Sequence, residues 1–128
     1  MSKNKIFLIL LFVLTSCHNE WVFRPEIRGI ILSFDSNKPL LNAKIETIPL
    51  ESEPVDYATS KNTGRFILPK ISSESWTFLG MEKPKGPALT NKIVIKADGY
   101  ANDTVDYTNY SSKNNVIDIG EIFLKRKN

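Results

Sequence analysis

The chain has 128 residues, 41% of them hydrophobic, with 17 basic and 14 acidic side chains and a formal charge of +3. That length suits one domain of ordinary size, and so slight a positive excess gives no ground for a nucleic-acid surface. A single cysteine and a single histidine leave no material for a Cys/His metal cluster or an internal disulfide.

Residues 1–16 read as a secretory signal. Lys3 and Lys5 give a positive start, Ile6 to Leu14 is an unbroken apolar run of nine residues, and small Thr15 and Ser16 follow. Nine residues are too few to cross a bilayer, which takes about 20. A buried core helix is disfavoured by the lack of a polar face. At the end of the run, Leu14-Thr15-Ser16-Cys17 resembles the lipobox of bacterial lipoproteins. The resemblance implies diacylglycerol transfer to the Cys17 thiol, cleavage between Ser16 and Cys17, and acylation, for instance by palmitate, of the new amino group. An ordinary secreted protein with a chance cysteine at its cleavage site is the alternative.

The energetics suit the resemblance. Each buried CH₂ contributes about 0.8 kcal/mol, and two or three chains on one residue hold a protein on its membrane where one chain does not. Covalent lipid on Cys17 is the expected prosthetic group, with no other cofactor. A thiol consumed in this way leaves the exported chain to fold without disulfides. By the sorting rule of such lipoproteins, His18 stands where an aspartate would signal inner-membrane retention, so the outer membrane is favoured. Loss of Lys3 and Lys5 brings the formal charge to about +1. The basic Lys125-Arg126-Lys127 reads as a solvated chain end, with 127–128 as tail.

Residues 17–26 form a short connector, spanning at most about 35 Å when extended. Trp21, Val22, Phe23 and Pro25 stiffen it. Trp21 either rests at the lipid surface, as interfacial aromatics do, or joins Phe23 in strand pairing.

From Ile27 the pattern is short strands and turns. "AKIETI" (43–48) puts Ala43, Ile45 and Thr47 on one face and Lys44 and Glu46 on the other. "KIVIKA" (92–97) does the same with Ile93, Ile95 and Ala97. "RGIILSF" is more continuously apolar, and is either buried on both sides or partly covered by Trp21 and Phe23. Turn signals recur at 35–39, 60–64, 82–87, 97–99 and 109–115, and no window carries a helical period. The expectation is an all-β fold, a small antiparallel sandwich of about seven strands over 27–126. In "VIDIGEIFL", Ile117 and Ile119 are out of phase with Ile122 and Leu124. One unpaired residue near Gly120 brings all four to one side, so a bulge is favoured over a strand with Asp118 facing inward.

"KPLLNAKI", "SKNTGRFILP", "IKADGY" and "IDIGEIFL" occur in that order between Lys38 and Leu124. Together they resemble the carboxypeptidase regulatory-like domain, a β-sandwich of transthyretin-like architecture. The resemblance implies positive φ at Gly64 with Phe66 entering the core, and a turn at Gly99 ahead of a packed Tyr100. Lys61 departs from the acidic or amide residue usual in that turn, and 70–91 reads as an insertion. The family serves as an accessory module, so the resemblance implies no activity.

Catalytic candidates are thin. His18 lies ahead of the domain, which removes a Ser-His-Asp or Cys-His relay, and no nucleotide-binding or nucleophile-elbow motif is present. Glu51, Glu53 and Asp56 offer oxygens, but a solvated acidic loop broken by Pro54 explains them better than Ca²⁺, which takes 6–8 ligands. No metal site and no enzyme activity are expected. Two segments offer recognition surfaces. Trp76, Phe78 and Met81 suit a protein interface, or alternatively close one end of the sandwich. Tyr107 and Tyr110, among amides and hydroxyls, suit sugar stacking, or alternatively belong to an edge strand and polar turn. The functional expectation is a membrane-anchored, non-catalytic binding module for another envelope protein, with a carbohydrate-binding module as the alternative.

Overall fold

The computed structural model describes residues 17–49, 56–77, 86 and 89–128. The signal segment with Ser16, the acids Glu51 and Glu53, and Phe78 and Met81 lie outside the described residues.

Among the described residues there are ten strands. They are β1 (Cys17–Arg24), β2 (Glu26–Ser33), β3 (Lys44–Pro49), β4 (Tyr57–Thr59), β5 (Arg65–Leu68), β6 (Ile71–Thr77), β7 (Leu89–Lys96), β8 (Asp103–Asp106), β9 (Ser112–Lys113) and β10 (Val116–Leu124). A single 3₁₀ turn covers Tyr107–Asn109. The front sheet has the order β5-β2-β10-β9 and the back sheet β4-β3-β7-β8, while β1 and β6 pair only with each other. The fold is all-β, and the two four-stranded sheets stack as a sandwich.

Alternation builds the core. Ile27 and Ile31 of β2, Phe66 and Leu68 of β5, and Ile117, Ile119 and Leu124 of β10 point inward from the front sheet. Ala43, Ile45, Ile93, Ile95 and Val105 meet them from the back sheet. The expected phases of "AKIETI" and "KIVIKA" are those observed, Thr47 included, with Ala97 half-buried. "RGIILSF" is not buried on both sides. Ile30 and Leu32 turn outward and stay half-exposed.

Every pair is antiparallel except β10 with β2, which run parallel. The first and last strands of the sandwich lie side by side there, and the chain between them supplies the long connection that a parallel pair requires. The bulge is where the pattern placed it. Asp118 pairs with Arg28 and Glu121 with Ile30, so Ile119 and Gly120 together face Gly29 alone. Gly120 has φ 71°, and its N–H donates to the Asp118 carboxylate at 2.8 Å. Ile117, Ile119 and Leu124 are buried as a result, and Ile122 packs against them.

The other expected turns hold. Gly64 has φ 77°, and a Cβ there would lie 2.5 Å from the Ile31 carbonyl oxygen. Phe66 follows into the core. Gly99 has φ 82°, and Tyr100 packs against the core with its hydroxyl 3.2 Å from Ser33 Oγ.

The connector takes the strand-pairing alternative, and its partner is the start of the expected insertion. Residues 17–24 and 71–77 form a two-stranded antiparallel ribbon in which Cys17 faces Thr77 and His18 faces Trp76. Arg24 pairs with Ile71, and Ile27 pairs with Leu68, so the root of the ribbon and the β2–β5 ladder share one register, which shifts by one residue between Val22 and Arg24. Pro25 and Pro69 interrupt the ladder between them, since neither has an N–H to donate. The ribbon is therefore the β2–β5 edge of the front sheet continued past two prolines.

Candidate functional site

Three features of the fold bear on function: the ribbon that begins at Cys17, the polar cluster at its root, and the outer face of the front sheet.

At the root, the Arg24 side chain is fully buried. Its guanidinium makes a two-pronged pair with Asp56, Nη1 to Oδ1 at 3.1 Å and Nη2 to Oδ2 at 2.8 Å. It also donates to Thr47 Oγ1 and to the Pro69 carbonyl. Thr47 in turn donates to Asp56 at 2.6 Å. The planar fork suits this geometry as a lysine would not. Arg24 Nε, also buried, has no partner among the described residues. One side chain thus ties the base of the ribbon and the front-sheet edge to β3 and the approach to β4 in the back sheet.

Burial pushes the Asp56 carboxyl up, but hydrogen bonds from Arg24 and Thr47 and the guanidinium charge outweigh it and hold the group below the usual carboxylate range. The solvated acidic loop expected around Asp56 is corrected at this residue, which faces a buried cation. Among the described residues no group of three or more His, Cys, Asp or Glu side chains could hold a metal ion.

Tyr107 sits close by. Burial raises its hydroxyl above the ordinary tyrosine value, partly offset by the Arg24 charge. The hydroxyl donates to the Thr90 carbonyl at 3.2 Å, and the residue belongs to the core. Pairing Tyr107 with Tyr110 as a sugar-stacking surface is therefore corrected: Tyr107 faces inward, while Tyr110, capping the 3₁₀ turn, is partly exposed. The phase of β8 carried the signal, because buried Val105 and Tyr107 are two residues apart. An edge strand followed by a polar turn is what the segment forms. Trp76 lies on β6 opposite His18.

Across the outer face of the front sheet runs a groove of about 750 Å³. Its lining includes Tyr57 and Thr59 of β4, Ile30 and Ile67 of the front sheet, and Asp118 and Glu121 beside the bulge. Ile67 and Phe123 leave 52% and 40% of their surfaces in solvent. Nothing in the turn signals pointed to this face, because a strand that alternates apolar and polar residues is expected to keep its apolar side inside.

No family model matches the chain, and no curated protein does. Among solved structures, one match is a 9R-lipoxygenase from Cyanothece PCC8801, 14% identical, with a TM-score of 0.40 over 96% of this chain and 20% of that one. The chain thus spans about a fifth of that protein's length. A likeness of this degree carries no argument about fold or activity.

Proposed function

We propose that the protein is a lipoprotein held on a membrane, the outer membrane where the cell has one, through lipid on Cys17. The sandwich then acts as a non-catalytic module that binds another envelope protein. The observation that carries the reading is the N-terminal pattern: two lysines, nine apolar residues, then Leu14-Thr15-Ser16 directly before the chain's one cysteine. The fold fits it in one respect. Cys17 pairs with Thr77 in a strand that runs on to Arg24, and a strand rising about 3.3 Å per residue sets Cys17 about 23 Å from Arg24. The attachment point would then hang from a semi-rigid spacer, where a Gly/Ser tether would give none.

A binding role draws support from the exposed apolar side chains Phe34 and Leu41, which lie outside the front-sheet groove. The sugar-binding alternative loses its aromatic pair with the burial of Tyr107. The remaining acid of the polar cluster, Asp56, is engaged by Arg24, which leaves it poorly suited to proton transfer.

The test replaces Cys17 with Ala and follows labelled fatty acid and membrane fractionation. Label and membrane association are expected to disappear together. Unchanged labelling, or a free thiol on the purified mature protein, defeats the proposal.

A further inference from the structure

The outer faces of the two sheets differ in kind. On the back sheet Glu46 lies 2.9 Å from Lys44 and 3.2 Å from Lys96, while Lys92 has no ion pair among the described residues. The Lys44 ammonium also lies 4.6 Å from the Tyr57 ring centre. On the front sheet, Ile67 and Phe123 are exposed, Ile30 and Leu32 are half-exposed, and Arg65 and Glu121 have no ion pair among the described residues.

Register fixes how those two charges stand. Ile30 of β2 is paired with Arg65 of β5 on one side and with Glu121 of β10 on the other. Strands lie about 4.8 Å apart, so Arg65 and Glu121 are about 10 Å apart with an isoleucine between them. They are too distant to neutralise each other. A purely acidic or purely basic partner would be met by one sign of charge. This face offers both, in one row, on either side of an apolar centre.

Such a row is complementary to itself. A half-turn about an axis along β2 lays Ile30 on its own copy and sets Arg65 over Glu121 of a second copy, and Glu121 over Arg65. That is the reciprocal pairing of a two-fold interface. One row away, Arg28 meets its own copy across the axis and Ile67 meets Asp118; Arg28 is already paired with Glu26 of its own chain, and Asp118 accepts the Gly120 N–H. The same axis leaves the two β2 strands pointing the same way. Since β1 continues the β2 line toward Cys17, with one register shift between Val22 and Arg24, both attachment points leave on one side, as two chains in one membrane require. An axis across the strands would send them to opposite sides and would oppose Arg65 to Arg65.

We propose that the protein forms a two-fold dimer through the outer face of its front sheet, with Ile30 on the axis and Arg65 paired with Glu121 of the second copy. The choice of axis rests in part on membrane anchoring; the charge layout selects it independently. Confinement to a membrane would raise the occupancy of such an interface.

The experiment uses the full chain with Cys17→Ser, which removes lipid from the assay and leaves Ile30→Cys as its one thiol. Mild oxidation is expected to yield a crosslinked dimer, while Lys92→Cys on the back sheet yields none. Glu121→Arg and Arg65→Glu should each lower the dimer yield by about tenfold or more, because like charges then face each other twice. Mixing the two variants should restore it as a heterodimer, since both contacts become complementary again. Both positions are exposed, and unchanged melting temperatures confirm that the variants fold. The proposal is overturned if the chain sediments as a monomer up to about 1 mM. It is equally overturned if the two charge variants dimerise like their parent, or if Ile30→Cys in cells crosslinks to a different protein. Failure on any of these counts leaves the fatty-acid labelling of Cys17 untouched, and loss of labelling leaves this assay intact.

Discussion

The sandwich and the ribbon are built from the same kind of backbone ladder but held by different forces. In the sandwich, isoleucines from both sheets interlock around Phe66, and burial of apolar surface stabilises the whole. Among the residues whose burial is described, none of the ribbon belongs to that core. It is held by its own ladder, by Lys70 on Glu20, by the packing of Phe23 against Gly86, and by Arg24 at its root. An isolated two-stranded ribbon is marginal in water. This one persists because it extends an existing sheet edge and because a buried ion pair fixes the point of exit. Depth of burial, more than strand pairing, separates the stable region from the labile one.

The strongest way to break that relation is at the root. Asp56→Ala leaves the guanidinium of Arg24 fully buried and without its counter-charge, and stranding a buried charge costs about 3–5 kcal/mol. Arg24→Met should cost less, although it removes the larger side chain. Asp56 keeps 37% of its side chain in solvent and can hydrate when its partner goes, and the unpaired Nε is removed with the guanidinium. Urea denaturation of both variants tests the order. If Arg24→Met is the more damaging, packing and not charge controls the root.

Acid sharpens the same point. A carboxyl held low in the folded state adds stability that is present above its unfolded value of about 3.9 and lost as pH falls through the lower folded value. The wild-type protein is therefore expected to lose stability below about pH 4 more steeply than Asp56→Asn. Glu46, held low by its hydrogen bond to Lys44 and by Lys96 against a small opposing effect of burial, titrates in both proteins, so the difference between them isolates Asp56. Parallel acid curves would show that the Arg24 pair gives Asp56 no folding linkage.

Much of the sandwich was legible in the chain because its signals are local. Period-two alternation placed Ile45, Ile93 and Ile95 inside, and a phase slip across "VIDIGEIFL" located the bulge at Ile119 and Gly120. The ribbon was legible only in part, since strand pairing at Trp21 and Phe23 was one of two readings and the partner strand was hidden. "ISSESWT" carries no apolar alternation, and its partner lies some fifty residues away on what reads as a connector. Only the register shared across Pro25 and Pro69 shows that the two segments belong to one ladder. The Arg24–Asp56 pair was hidden likewise, since nothing in sequence says that an arginine between Phe23 and Pro25 turns inward. Tyr107 was misjudged because its polar neighbours outweighed its phase with Val105.

Two glycines separate backbone strain from collision within the sandwich. Gly120 has φ 71° and open space where a Cβ would sit. Gly120→Ala should therefore cost only the left-handed penalty, about 1–2 kcal/mol. Gly64, at φ 77°, meets the same penalty and also a carbonyl oxygen 2.5 Å from the new carbon. That oxygen accepts the Leu40 N–H at 3.0 Å, so it has little freedom to retreat. Gly64→Ala should cost clearly more than Gly120→Ala in the same denaturation assay. Equal losses would mean that the turn yields at little cost.

The smallest expected effect discriminates best between the two regions. Lys70 Nζ reaches both Glu20 oxygens, at 2.7 and 2.8 Å, and ties β1 to the chain just before β6. Both side chains remain partly in solvent, so the pair is worth about 0.2–1 kcal/mol at low salt. Lys70→Met should leave the urea midpoint of the sandwich where it was, because the core does not depend on this contact. Amides of β1 exchange through local opening of the ribbon, and there the same loss should appear as exchange up to about fivefold faster. Added salt should remove the difference, since it screens the pair in the wild-type protein as well. Should the core amides of β2 and β10 speed up by the same factor, ribbon and sandwich open as one cooperative unit, and the Arg24 root couples them far more tightly than their separate packing implies.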